Sequence, residues 1–364
     1  MKRLVIMIKP VSSKCDMRCS YCFYSDVAAS RHKASMGIMS VEDATSIIKN
    51  TFSVLAAGDN ITFAFQGGEP GLAGLDFFSL FISETKKAVA SSKVRVNYAF
   101  QTNGMMVDDT WCAFFKRNDF LVGLSLDGYA ALHNQNRMDS SGKGTFNRVM
   151  NAKKMFDQHG VRYNVLCVIT SETARRAKRL WDFILREKID YIQFIPCLEP
   201  LGETAEKWGA ALTSERFYQF YSTLFHLWKK EALKGNIVNI GLFNDLTSLL
   251  EIGQRVTCGL SGRCTPQIIV EADGGVYPCD FYVLDAYRVG DLTKQTLKDV
   301  FESTAINSFI NEMRHIPNLC DGCMHNHWCK GGCKRMARAV YGESCGMKLF
   351  LDECLQELLY IMKR

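Results

Sequence analysis

The first 200 residues alternate short β-branched or aromatic runs with stretches of helical period, and this alternation limits the fold more than any other feature of the chain. The runs are RLVIMIK (3–9), ITFAFQ (61–66), VRVNYAFQ (94–101), FLVGLSL (120–126), YNVLCVIT (163–170) and YIQFIP (191–196). Between them lie amphipathic stretches, including 40–56, where Ser40 and Asp43 stand in capping-box order, and 145–158. Strands separated by helices run parallel, because each helix returns the chain to the same end of the sheet. Six βα units therefore predict an α/β fold whose parallel sheet is open or curled into part of a barrel.

Such a barrel carries its chemistry at the C-terminal ends of its strands. SSKCDMRCSYCFYSD follows the first predicted strand, QGGEPGL the second, QTNG the third and SLDG the fourth, while PCLEP overlaps the end of the sixth. Turn-making accounts for Gly104 and Gly128. It does not account for polar, small and acidic groups recurring at one rim. After residue 200 the pattern changes: SERFYQFYSTLFHLWKKEALKG reads as a long amphipathic helix ending at Gly235, and the remainder is short, turn-rich and loaded with cysteine. Two domains are expected, 1–235 and 236–364.

The amino-terminal MKRLVIMIKP has an apolar run of five residues closed by Lys9 and Pro10, too short for a signal peptide or a membrane span. A cytoplasmic location is expected, with no membrane partner. The 44 basic and 38 acidic residues are nearly balanced, and the paired basics near Arg175 and Lys229 have helical spacing, so solvated helix faces are expected rather than nucleic-acid binding. In a reducing compartment the 15 cysteines point to metal or catalytic use more than to disulfides. Cys112, Cys167, Cys197 and Cys354 read as small buried hydrophobes. The tail supplies Cys258, Cys264 and Cys279, then Cys320, Cys323, Cys329 and Cys333, then Cys345: eight thiols, enough for two closed four-cysteine sites. Spacing alone leaves zinc and iron–sulfur open there, with His325 and His327 read as surface residues. Cys15, Cys19 and Cys22 are one ligand short of a closed zinc site, whereas a four-iron cluster on three thiolates keeps one iron free for a ligand.

C-x3-C-x-aromatic-C, with Tyr21 as the aromatic, resembles the signature of the radical S-adenosylmethionine superfamily, and the tail resembles SPASM domains that carry auxiliary clusters. CSYCFY, FAFQGGEPGLAGLDFF, QTNG, FLVGLSLDG, HNQNR and VYPCDFYVLD look like the anaerobic sulfatase-maturating enzymes. Gly71 departs from that pattern, where threonine is common. The resemblance implies a partial (β/α)6 TIM-like barrel with a carboxy-terminal SPASM domain, S-adenosylmethionine and three [4Fe–4S] clusters. Cys15, Cys19 and Cys22 would hold the cofactor cluster. Gly68 would let the backbone approach the methionyl amine and Glu69 would support its loop. Ser125 would bind the ribose, Tyr21 and Leu198 would line the pocket, and Arg137 would help hold the cofactor. Cys258, Cys264, Cys279 and Cys333 would hold one auxiliary cluster, and Cys320, Cys323, Cys329 and Cys345 the other, with Cys354 the alternative to Cys345.

The implied activity is oxidation of a cysteine or serine in an unfolded sulfatase polypeptide to Cα-formylglycine without oxygen. A 5′-deoxyadenosyl radical would take hydrogen from the substrate Cβ, Asp280 would act as general base, and the auxiliary clusters would accept an electron. Gln66, Gln101 and Tyr24 are expected to bind substrate peptide. A flavodoxin- or ferredoxin-type reductant and a monomeric enzyme are expected. The competing enzyme reading is a maturase that crosslinks a ribosomally made peptide; the 14 residues before Cys15 leave no room for the recognition domain such enzymes often carry. A non-enzymatic electron carrier or zinc-stabilised scaffold leaves the open triplet, GGEP and Ser125 without purpose.

Overall fold

The computed structural model describes residues 2–201, 209–253, 257–312, 316–342 and 344–363. Ten strands lie among the described residues: β1 (Arg3–Ile8), β2 (Asn60–Phe65), β3 (Arg95–Thr102), β4 (Phe120–Ser125), β5 (Arg162–Ile169), β6 (Tyr191–Pro196), β7 (Asn239–Ile240), β8 (Ile268–Val270), β9 (Gly275–Tyr277) and β10 (Gly290–Asp291). The first six fall on the six predicted runs, with ends displaced by at most one residue. The chain forms two compact units, each assembled from separated segments. The first comprises Met1–Ser125, Arg137–Tyr163 and Pro266–Glu312; the second comprises Leu126–Asn136, Asn164–Thr265 and Met313–Arg364. Part of the cysteine-rich half thus belongs with the first strands rather than with the rest of the tail.

In the first unit the strand order is β10-β9-β8-β1-β2-β3-β4. β1 to β4 are parallel neighbours, with Ile8 opposite Phe65 and Phe65 opposite Phe100. The hairpin β8–β9 adds β8 parallel to β1, with Ile6 opposite Ile268 and Ile8 opposite Val270. Alternation along each strand decides what faces what. Phe63, Phe65, Phe100 and Phe120 turn to one face and pack edge-on with Phe78, Phe81 and Phe115 from the helices Leu75–Ser92 and Asp109–Arg117, all almost fully buried. Each such phenylalanine contributes about 1.5–3 kcal/mol relative to exposure. Gln66 and Gln101, one position on from Phe65 and Phe100, are thereby directed to the opposite face. The helix Val41–Phe52 starts as expected: Ser40 Oγ accepts from the Asp43 N–H at 3.0 Å.

In the second unit β5, β6 and β7 are parallel neighbours. The predicted long helix spans Ser214–Ala232 and packs against the carboxy-terminal helix Gly346–Met362. Contact is close enough that a Cβ on Gly346 would lie 2.0 Å from the Ser214 carbonyl oxygen. Tyr221, Phe225, Trp228, Phe243 and Phe350 fill the space between, with Phe243 and Phe350 stacked at 5.9 Å. Arg175 and Arg176 pair with Glu172, and Lys229 with Glu357. Among the described residues no helix is long and apolar enough to cross a membrane.

Candidate active site

The three-cysteine loop joins β1 to the helix Phe23–Ala29 and is held from two sides. Cys22 caps that helix, its Sγ accepting from the Ser25 N–H at 3.4 Å. On one side the Gly68 N–H donates to the Ser12 carbonyl and the Glu69 N–H to the Lys14 carbonyl, each at 2.8 Å. A Cβ on Gly68 would lie 1.8 Å from that Lys14 oxygen. The missing side chain at position 68 is therefore demanded by the backbone directly before Cys15, a reason that sequence alone did not reveal. On the other side the Arg18 N–H donates to the Met138 carbonyl at 2.7 Å, and Met17 bridges to Asp139. The Arg137 guanidinium lies 5.5 Å from the Tyr21 ring centroid, and both residues are buried.

Glu69 is buried and accepts three hydrogen bonds: from Thr102 Oγ1 at 2.9 Å, the Asn103 N–H at 2.7 Å and the Gly71 N–H at 3.3 Å. Burial pushes its carboxyl up to about 7 against those bonds. Asn103 in turn donates from Nδ2 to Asp16 Oδ1 at 2.7 Å, so QTNG and GGEP together brace the residue after Cys15. The side chain of Met106 fills the space beside Gly71: a Cβ there would lie 2.5 Å from its sulfur. Burial also pushes the Cys15 thiol up to about 12, with Cys19 and Glu69 adding in the same direction. The bare protein thus favours the thiol over the thiolate at Cys15. A cationic centre that displaces the proton supplies the missing charge, and a three-thiol donor set suits an iron–sulfur cluster.

Asp280 lies in the same compact unit. It opens the turn Asp280–Tyr282 just after Cys279, and Phe281 meets Phe23 at 5.3 Å between ring centroids. Its N–H donates to Gln267 Oε1 at 3.3 Å, and its Oδ1 is 2.7 Å from Lys9 Nζ. Tyr24 is buried; its hydroxyl donates to Glu271 Oε1, and its ring face meets Lys9 Nζ at 3.9 Å. Glu271 also pairs with Arg31 at 2.6 Å, both side chains fully buried. Gln66 and Gln101 are partly exposed, and Gln66 Nε2 contacts the Met7 sulfur. Ser125 is buried at the end of β4.

In the second unit Leu198 is buried in the segment after β6. The next residue is clamped: Arg335 Nη2 donates to the Glu199 carbonyl at 2.5 Å and Arg338 Nη1 to its carboxylate at 2.8 Å. Burial raises the pKa of Cys329 and Cys345, and nearby thiols add to it: Cys320, Cys323 and Cys345 act on Cys329, and Cys320 and Cys323 on Cys345. Burial likewise raises Cys258 and Cys333, with Cys264 close enough to add to both. Cys279 belongs to the first unit. Cys345 has a left-handed φ of 27°, a strained conformation for a residue with a Cβ. Cys354 is instead fully buried on the carboxy-terminal helix beside Glu353, Glu357 and Lys229, and Cys112, Cys167 and Cys197 are buried as expected. His327 is exposed, but His325 is not the surface residue expected: it is buried with Nε2 3.0 Å from Asp352. Sequence reasoning also passed over Lys9, Asp16 and Asn103. The one available signal was position, since Lys9 ends a strand and Asn103 sits inside QTNG.

A family profile described as Radical SAM superfamily matches residues 10–184, and one described as Iron-sulfur cluster-binding domain matches residues 262–324. The cysteine-type anaerobic sulfatase-maturating enzyme of Clostridium novyi is 37% identical over 372 residues, covering 100% of this chain and 98% of that protein. The enzyme of the same description from Clostridium perfringens strain 13 is 40% identical over 335 residues, covering 92% and 90%. The solved structure of native anSMEcpe with bound AdoMet and Cp18Cys peptide is similar with a TM-score of 0.89 and 36% identity, covering 99% of each chain.

Proposed function

This chain belongs to the anaerobic sulfatase-maturating enzymes of the radical S-adenosylmethionine superfamily, and we propose that it oxidises one cysteine of a sulfatase polypeptide to Cα-formylglycine without oxygen. When bound, S-adenosylmethionine and the iron–sulfur clusters supply hydrogen-atom abstraction and one-electron acceptance. The chain's own residues do the rest. Cys15, Cys19 and Cys22 hold the cofactor cluster in a loop that Gly68, Glu69 and Asn103 keep rigid; Tyr21, Ser125, Arg137 and Leu198 hold the cofactor. Cys258, Cys264, Cys279 and Cys333 hold one auxiliary cluster, and Cys320, Cys323, Cys329 and Cys345 the other. Asp280 takes the thiol proton, while Gln66 and Gln101 bind substrate main chain and Tyr24 contributes its ring. Loss of one hydrogen atom, one proton and one electron oxidises the thiol carbon to a thioaldehyde, which water converts to the aldehyde with release of hydrogen sulfide. The segments 1–235 and 236–364 are the catalytic and auxiliary-cluster regions, and a flavodoxin- or ferredoxin-type protein reduces the monomeric enzyme.

One observation supports this reading above the others: the helix that begins directly after Cys22 packs Phe23 on Phe281, the neighbour of Asp280. A candidate base is thereby associated with the open three-thiol loop inside one compact unit. The choice of cysteine over serine rests on the cysteine-type relatives. Anaerobic incubation with S-adenosylmethionine and two peptides, Cys-x-Pro-x-Arg and Ser-x-Ala-x-Arg, followed by mass spectrometry, tests it. An aldehyde on the cysteine peptide is expected; an internal crosslink or an untouched cysteine would overturn the reading. Asp280→Asn is nearly isosteric but cannot accept the proton. It should lower formylglycine by ~10²–10⁴-fold and 5′-deoxyadenosine far less.

A further inference from the structure

Lys9 is a lysine that the fold has almost removed from water. Its side chain is 1% exposed. The backbone explains how it comes to be there: the Lys9 N–H donates to the Val270 carbonyl at 2.8 Å, which ties the end of β1 to β8. The chain of β8 and β9 then leads to Cys279 and Asp280. Gly67 closes over the stem, and a Cβ there would lie 3.1 Å from Lys9 Cβ. The ammonium meets two groups, the face of Tyr24 at 3.9 Å and Asp280 Oδ1 at 2.7 Å. That oxygen is buried and has no aligned hydrogen bond, so the lysine's charge is what compensates it. The neighbouring acid Glu271 is already paired with Arg31 and bound by the Tyr24 hydroxyl.

We propose that Lys9 is a positioning residue for the reaction: it holds the Asp280 carboxylate by one oxygen and leaves the other directed at the substrate. This rests on the proposed role of Asp280 as base. A buried lysine with no partner would shed its charge, and a buried carboxylate oxygen with no partner would turn toward water, so each fixes the other. Tyr24 serves as the floor of the pair: its ring face stabilises the ammonium, and its hydroxyl is anchored on Glu271. The carboxylate is set by a strand-end side chain rather than by the turn it sits on. Position matters here, because misplacing a reacting group by about 1 Å can cost ~10²-fold in rate.

The experiment compares wild type, Lys9→Met, Lys9→Arg, Asp280→Asn and the Lys9→Met/Asp280→Asn double variant, each purified anaerobically with iron and sulfide counted. With a cysteine peptide and S-adenosylmethionine, Lys9→Met should lower kcat for formylglycine by ~10²-fold at nearly unchanged peptide KM. The ratio of 5′-deoxyadenosine to product should rise at least tenfold, and Lys9→Arg should recover part of the coupling. Thermal unfolding gives a readout that needs no turnover. Each single variant strands a buried charge, so the double variant should melt no lower than the worse single one. Product and 5′-deoxyadenosine falling in parallel, or no fall at all, would overturn the proposal, as would additive losses in melting temperature. If wild type makes no formylglycine while its clusters are intact, the functional reading fails. Non-additive melting would then still uphold the Lys9–Asp280 pair, and additive melting would overturn it.

Discussion

Glu69 illustrates how a single residue can be both structural and electrostatically costly. Burial disfavours its ionised form, while the Thr102 hydroxyl and the backbone of Gly71 and Asn103 favour it, and the balance leaves the carboxyl at about 7. That value stands above the ordinary glutamate value of 4.5, so the folded chain holds the proton more tightly than the unfolded chain does. The stability Glu69 contributes is therefore complete below the unfolded value and lost as pH rises through the folded one. Between about pH 5 and 7.5, wild type should lose unfolding free energy relative to Glu69→Gln, by on the order of 3 kcal/mol over the full shift. Urea unfolding of both proteins across that range measures it. A difference that stays flat with pH would mean that the carboxyl titrates as it does in water.

At the scale of elements, the loops after the strands are held by other loops more than by their own turns. The cysteine loop leans on Gly68 and Glu69 on one side and on Met138 on the other. The segment after β6 follows the same logic. Leu198 precedes Glu199, and Glu199 is gripped by Arg335 and Arg338, which follow Cys333 in the chain. A hydrogen bond from a charged donor is worth about 1.5–3 kcal/mol, enough to shift the conformation of a short segment. Arg335→Ala should therefore raise KM for S-adenosylmethionine by about tenfold while iron content stays at the wild-type level, each 1.4 kcal/mol being one decade. Steady-state kinetics with an iron count distinguishes this from cluster damage. An unchanged KM would mean that the segment is rigid without the clamp, and lost iron would mean that Arg335 serves Cys333 instead.

For the whole molecule, the cysteines are sorted by burial and company. Cys323 shares its surroundings with Cys320, Cys329 and Cys345, whereas Cys354 sits in a helix–helix core among no other thiols that raise its pKa. Cys323→Ala should lower iron by about four atoms per chain from about twelve, whereas Cys354→Ala should keep all of it and cost about 1 kcal/mol of packing. Iron analysis and thermal unfolding of the two variants decide this, and iron lost from Cys354→Ala would reverse the assignment. The six strands, the long helix, the three-cysteine loop and the membership of the family were legible in the sequence. Alternation, helical period and ligand spacing are properties of neighbouring residues, and they survive whatever the rest of the chain does. The pairing of β8 with β1, the burial of Lys9 against Asp280 and the contact that forbids a side chain at Gly68 were decided only by the tertiary structure. Each joins segments far apart in the chain, where no local pattern registers the partner and only the register of the sheet and the packing of remote loops bring the groups together.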